Sequence, residues 1–335
     1  MRVSLGFDGK NAAAELIPMV CAADRAGMDS VWSAEHLGFH DGIVASALFL
    51  AKTTRLRAGI VGINPFSRSP GLLAMELSNL TAYAPGRVRV QLGTGDAALG
   101  RKIGVAATAT AIATTEAFLS TVRQLTAGEV VTERTAAYTL NSMSVPACQP
   151  PPSLELMAVR PRMLALAARA ADGVALSMGA TVDYLRRAIG LVTSKLAEAG
   201  RDRADFTISA MTTCSVDDDL AAARRRAARS AVFAGTSYNR AVLGADELGL
   251  PPADRLREAL ADGGVGRAAA LIDDDAVDAL AVVATPATLD ETLSAYAAAG
   301  VDELVVKVSG KPATRAATIA LLGRYSTTGT SKECQ

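Results

Sequence analysis

The chain has two histidines, His36 and His40, in the segment WSAEHLGFHDG, and Glu35 directly precedes the first. An H-x-x-x-H pair beside a carboxylate has the spacing of a zinc site when both rings share one helix face. Here the apolar run DSVWSA leads straight into Glu35 and His36, and Gly38 separates His36 from His40. The first histidine therefore closes a strand and the second lies in a loop. No cysteine lies close to either, and metal is not expected. His36 keeps two roles: bonding backbone where it stands, or touching a cofactor or substrate. A serine hydrolase is no better supported, because no G-x-S-x-G elbow occurs.

Two further stretches could hold phosphate. In VRVQLGTGDAAL, residues 88–99, Gly93, Gly95 and Ala98 match G-x-G-x-x-A, the dinucleotide fingerprint. That fingerprint belongs after the first strand of a βαβ unit, with an acidic residue about 20 positions on at the end of the next strand. Here it follows the fourth strand, Glu116 falls in a helical pattern, and Asp96 sits where a carboxylate would repel pyrophosphate. Gly93 and Gly95 read better as an open turn that delivers Asp96. The second stretch is SMGAT, residues 177–181, ahead of a helical pattern. Free N–H groups at a helix start, with Gly179 admitting close approach, favour an anion. Arg160 and Arg162 follow the neighbouring strand, either as part of that anion site or as solvated helix-start residues.

These residues need a scaffold that gathers strand ends. Strand-like runs occur at 2–7, 29–34, 56–61, 88–92, 154–159, 173–177, 206–213 and 303–308. Helical patterns lie near 13–26, 42–52, 71–84, 114–127, 161–171, 181–199, 217–234, 286–299 and 313–323. Strict alternation of eight strands with helices predicts an α/β fold, a closed (β/α)8 TIM barrel, with the chemistry at the C-terminal strand ends. Those ends carry Asp8, Glu35, His36, Asn64, Arg68, Asp96, Arg160, Thr213 and Lys307. Two segments interrupt the rhythm after strands 4 and 7: a hairpin-like stretch at 129–153 and a long charged insertion at 236–280. One domain is expected over 1–325, with a flexible tail at 326–335.

Composition bounds the partners. The 335 residues carry 34 basic and 34 acidic side chains, a balance that argues against nucleic acid or an anionic membrane as partner. No apolar run approaches the roughly 18 residues of a membrane span. The opening MRVSLGF has none of the ordered regions of a secretory signal. Cys21, Cys148, Cys214 and Cys334 lie far apart, which reads as free thiols in a reducing cytoplasm.

Five segments in order resemble the bacterial-luciferase-like superfamily, whose barrels bind flavin or the deazaflavin coenzyme F420. They are AADRAGMDSVWSAEH, AKTTRLRAGIVGINPFSRSP, LTAYAPGRVRVQLGTGD, LALAARAADGVAL and TPATLDETLSAYAAAGVDELVV, and the resemblance spans about residues 1–325. The Asn64-Pro65 pair with Arg68, and Gly95-Asp96 near Ala98, look most like the F420-dependent reductases related to methylenetetrahydromethanopterin reductase. The pattern departs at Gly6, where those reductases carry a glutamate, at Ser69 in place of histidine, and at Arg160-Pro161 in place of G-P.

The resemblance implies hydride transfer between F420 and a small-molecule C=C or C=N group, with a proton supplied by the protein. The implied proton donors are His36, Asp96, Glu35 and Asp8, in that order. The implied cofactor contacts are a strand-3 bulge with a non-prolyl cis bond at Gly62-Ile63, then Asn64, Gly95, Arg160, Arg162, Gly179, Ala180 and Thr181. The 236–280 insertion would cover the substrate, and a homodimer is implied. The rivals are an FMN-dependent monooxygenase on the same fold and a non-catalytic cofactor-binding member.

Overall fold

The computed structural model describes residues 1–95, 100, 101, 104, 111–237 and 239–325. Asp96, Ala98, the 326–335 tail and Cys334 lie outside the described residues. The first part of the chain runs β1 (Arg2–Phe7), α1 (Ala13–Ala26), β2 (Ser30–Ala34), α2 (Gly42–Lys52), β3 (Arg57–Ile63), α3 (Pro70–Tyr83) and β4 (Val88–Leu92). The middle holds α4 (Ala111–Thr126), β5 (Val131–Arg134), β6 (Thr139–Met143), β7 (Ser153–Ala158), α5 (Pro161–Ala170), β8 (Gly173–Leu176) and α6 (Val182–Glu198). The last part holds β9 (Thr207–Val216), α7 (Leu220–Thr236), α8 (Ala253–Ala269), α9 (Asp274–Leu280), β10 (Val282–Ala284), α10 (Leu289–Ala298), β11 (Glu303–Val308) and α11 (Pro312–Leu322).

Eight parallel strands close in the order β8–β9–β11–β1–β2–β3–β4–β7, with β7 pairing back to β8. This is the (β/α)8 barrel that the alternation predicts. Local chemistry sets its boundaries. Gly27 ends α1 in the left-handed region, with its N–H on the Asp24 carbonyl. Asp41 and Ser69 cap α2 and α3 by accepting from the N–H groups of Val44 and Gly71. The 129–153 interruption contains the antiparallel pair β5–β6.

The barrel interior is polar at its N-terminal end. Arg89, 2% exposed, donates to Glu155 Oε1 from Nε at 2.8 Å and Nη2 at 2.6 Å, and to Glu303 Oε2 from Nη1 at 2.6 Å. Glu303 Oε1 accepts from the hydroxyls of Ser4 and Ser30 and from the Trp32 indole N–H. The Trp32 ring lies under the Arg89 guanidinium at 4.5 Å. A Cβ at Gly59 would stand 2.0 Å from Trp32 Cε3, so the indole crosses the barrel because that position has no side chain. Burial opposes the ionised Glu303, yet the Arg89 charge beside it holds the carboxyl well below its ordinary range.

The 236–280 insertion does not stand alone. Helices α7, α8 and α9 share an apolar cluster of their own, built on Ala223, Ala227, Val232, Leu256, Ile272 and Val277. Arg224 pairs with Asp278 across it, and Arg240 bonds the carbonyls of Gly235 and Pro251. These elements form a helical cap. Strand β10 adds to β9 beyond the barrel pairing, from Val282 opposite Cys214 to Ala284 opposite Val216. Its three residues merge into the apolar end of α9, which leaves the sequence no separate strand signal.

Candidate functional site

The C-terminal strand ends open above an apolar floor of Trp32, Val61 and Val305, against which Ala34, Met157 and Met211 pack. Gly62 lies at the edge of this floor at φ 90°, where the pairing of β3 with β4 shifts register between Val61 and Ile63. The expected bulge is therefore present. The cis bond expected at Gly62-Ile63 is not: that peptide is trans, and Gln149-Pro150 is the cis bond among the described residues. Glycine's freedom at positive φ makes the turn that a cis peptide would otherwise make. The bulge leaves the Val61 carbonyl to accept the Glu35 N–H at 2.7 Å. It also brings Gly62 against the Glu35 carbonyl and Met157.

The candidate proton donors separate by their partners. Glu35 is fully engaged: Oε1 accepts from Arg68 Nη2 at 2.9 Å, and Oε2 accepts the Gly42 N–H at 2.7 Å. Asp8 is paired with Lys307 Nζ at 2.5 Å. Burial would raise the Asp8 pKa, but the hydrogen bond and charge of Lys307 more than offset it and hold the carboxyl below its ordinary value. It is thus ionised at neutral pH and poorly suited to give a proton. His36 differs, because its ring makes an edge contact with Phe39 at 5.5 Å and has no hydrogen bond among the described residues. Asp96 lies outside them.

Arg68 is the hub of the wall between β2 and β3. Besides Glu35 it holds Asp41 Oδ2 at 3.1 Å and Glu76 Oε1 at 2.5 Å. Burial, with repulsion from Asp41 and Glu35, pushes the Glu76 carboxyl up despite Arg68, and its Oε2 is buried without a partner. Glu76 was not singled out from the sequence, and its signal is weak. It lies eight residues after Arg68, on a helix whose buried face is mostly apolar but also holds Ser78 and Thr81.

The expected phosphate residues divide. Asn64 is buried: its Oδ1 accepts from the N–H groups of Phe66 and Ser67, and its amide packs against Gly95. It shapes the turn below the β4 loop. Thr181 caps α6 by accepting the Tyr184 N–H and gives its own N–H to the Leu243 carbonyl. It anchors the cap to the barrel. Gly179 and Ala180 lie in a buried turn after β8, with Gly179 at φ 82°, directly ahead of the N-terminus of α6. Arg160 and Arg162, at the start of α5 beside that turn, are exposed and pair with no carboxylate among the described residues.

Four mouth residues carry no sequence signal for a site: Lys10, Phe39, Met178 and Phe233. Loops after β1, β2 and β8 supply the first three, and the last turn of α7 supplies the fourth. Among the described residues no three His, Cys, Asp or Glu side chains converge as a metal site would require. No helix among them is long and apolar enough to cross a membrane.

A family model described as luciferase-like monooxygenase matches residues 2–303. The chain is 27% identical over 295 residues to the 5,10-methylenetetrahydromethanopterin reductase of Archaeoglobus fulgidus, covering 87% of this chain and 88% of that one. It is 28% identical over 225 residues to the F420-dependent glucose-6-phosphate dehydrogenase of Kineococcus radiotolerans, covering 63% of this chain and 67% of that one. In structure it is similar to the coenzyme F420-dependent tetrahydromethanopterin reductase of Methanopyrus kandleri. There the TM-score is 0.82 at 21% identity, with 97% of each chain covered.

Proposed function

Because the chain belongs to the luciferase-like monooxygenase family, we propose that its barrel mouth holds coenzyme F420 and that it is an oxidoreductase acting on a small unsaturated molecule. The observation that carries this reading is the fit of the mouth to a flat, phosphate-bearing group. An apolar floor at Trp32, Val61 and Val305 lies under it, and the Gly179 turn ahead of α6 leaves the end of β8 beside the β7 end that leads to the exposed Arg160 and Arg162. A relative named as an F420-dependent glucose-6-phosphate dehydrogenase and a structural neighbour named as a coenzyme F420-dependent tetrahydromethanopterin reductase support the deazaflavin over flavin.

When bound, the deazaflavin supplies or accepts a hydride at a C=C or C=N group. The chain's own groups do the rest. The Gly62 bulge sets the edge of the floor on which a ring lies, and His36 holds the proton that the substrate must gain or lose. Asp8 keeps Lys307 in place and stays ionised, while Arg68 fastens the wall that carries Glu35 and His36. The α7–α9 cap shields one side of the mouth from water, which strengthens every electrostatic contact inside.

The test is a fluorescence titration of the purified chain with oxidised F420 and, separately, with FMN. Saturable F420 binding with none for FMN is the expected result. The opposite preference would move the chain to the flavin monooxygenases, and binding of neither would leave the non-catalytic reading.

We also propose a homodimer, supported by the outer faces of α2 and α3. Val44 and Leu48 on α2, and Leu72 and Met75 on α3, are exposed at helical spacing. Sedimentation should show a dimer for the native chain and a monomer for Leu48→Glu/Leu72→Glu with unchanged circular dichroism. A monomeric native chain would remove this reading.

A further inference from the structure

Nine large apolar side chains are exposed in the described structure, and five of them lie on α2 and α3. Of the other four, Phe39, Met178 and Phe233 all stand at the mouth, in a chain with seven phenylalanines in total. Phe39 and Phe233 are each 54% exposed and come from separate elements, the β2 loop and the cap. Between them stands Lys10, its ammonium 5.9 Å from the Phe39 ring centre and 5.4 Å from that of Phe233, both within cation–π range. No carboxylate reaches ion-pair distance of Lys10 among the described residues, and the neighbouring Asp8 is taken by Lys307. Phe39 in turn touches the edge of the His36 ring.

A positive charge framed by two exposed aromatic faces, beside an unpaired histidine, has the complement of one kind of molecule. We propose that Lys10, Phe39 and Phe233 select the substrate, and that it is a flat apolar molecule carrying one anionic oxygen group. Its plane lies along the two phenylalanine faces and its anion takes the Lys10 ammonium, which leaves the unsaturated group beside His36. The proposal rests on the oxidoreductase reading above and adds the substrate class. The same ammonium could take an anionic group of the cofactor itself, and the experiment separates the two sources.

The probes are trans-cinnamate and its neutral counterpart cinnamamide, titrated by calorimetry into F420-loaded and cofactor-free protein. The wild-type chain should bind cinnamate roughly five- to tenfold tighter than the amide, the effect of one ion pair at a partly screened site. Lys10→Met should erase that preference, Lys10→Arg should keep it, and Phe233→Ala should weaken both probes alike. F420 affinity should be unchanged in all three variants. Equal binding of the two probes to the wild type, or a preference that survives Lys10→Met, would overturn the proposal. Weakened F420 binding in Lys10→Met would assign the anion to the cofactor and overturn the substrate class. A wild-type chain that binds no F420, yet keeps a Lys10-dependent preference for cinnamate, would overturn the cofactor reading and leave the anion site standing.

Discussion

Replacing Arg89 with methionine should destabilise the barrel by about 3–5 kcal/mol at pH 7, the cost of leaving a buried carboxylate without its cation. The substitution keeps volume but strands Glu155 and Glu303, both fully buried, with no guanidinium between them. The sign of its pH dependence is diagnostic. In the native chain the Glu303 pKa is depressed on folding, so its contribution is complete above the unfolded value near 4.5 and fades only as pH falls toward the folded one. In the variant, burial of Glu303 is no longer offset by Arg89, so stability should rise as pH drops from 7 to 5. Denaturant unfolding at both pH values reads this. A variant whose stability does not rise at the lower pH would show that Arg89 is not what keeps Glu303 ionised. Adding Glu155→Gln and Glu303→Gln to Arg89→Met should recover part of the loss at pH 7.

His36→Asn should lower turnover by about two to four orders of magnitude while F420 still binds, as expected for removal of a positioned acid–base group. The ring has no structural hydrogen bond to lose among the described residues, and its contact is with an exposed phenylalanine, so the fold should be unaffected. Glu35→Gln offers the contrast. It should lower stability and loosen the mouth, because Glu35 holds Arg68 and the first turn of α2. Single-turnover kinetics alongside F420 titration separate the two cases. Turnover near the native value in His36→Asn, or loss of F420 binding with the chemistry intact, would remove the histidine from the proton-donor role.

By itself the sequence determined the barrel. Its strands are short apolar runs separated by capped helices, and that pattern is local: Asp41, Ser69 and Thr181 cap where the periodicity says helices begin, and Gly27 ends the first of them. The strand-3 bulge came from the family resemblance and not from the apolar pattern, and the register shift between Val61 and Ile63 bears it out. How the bulge is made was not legible. A trans peptide at Gly62-Ile63 follows from the φ that the β3–β4 pairing allows, and that is a property of two strands together.

Tertiary structure alone decided which polar residues do what. Glu35, His36 and Asp8 read alike as mouth residues. Arg68, eight residues from Glu76 and 33 from Glu35, ties up the first, and Lys307, 299 residues away, ties up the last. Partnership across that distance leaves no local trace, because a side chain's protonation is set by the charges folded against it. The same holds for Lys10, whose two aromatic neighbours arrive from a separate loop and a distant cap helix. Spacing along the chain records where elements begin and end; which charges meet is fixed only when the barrel closes.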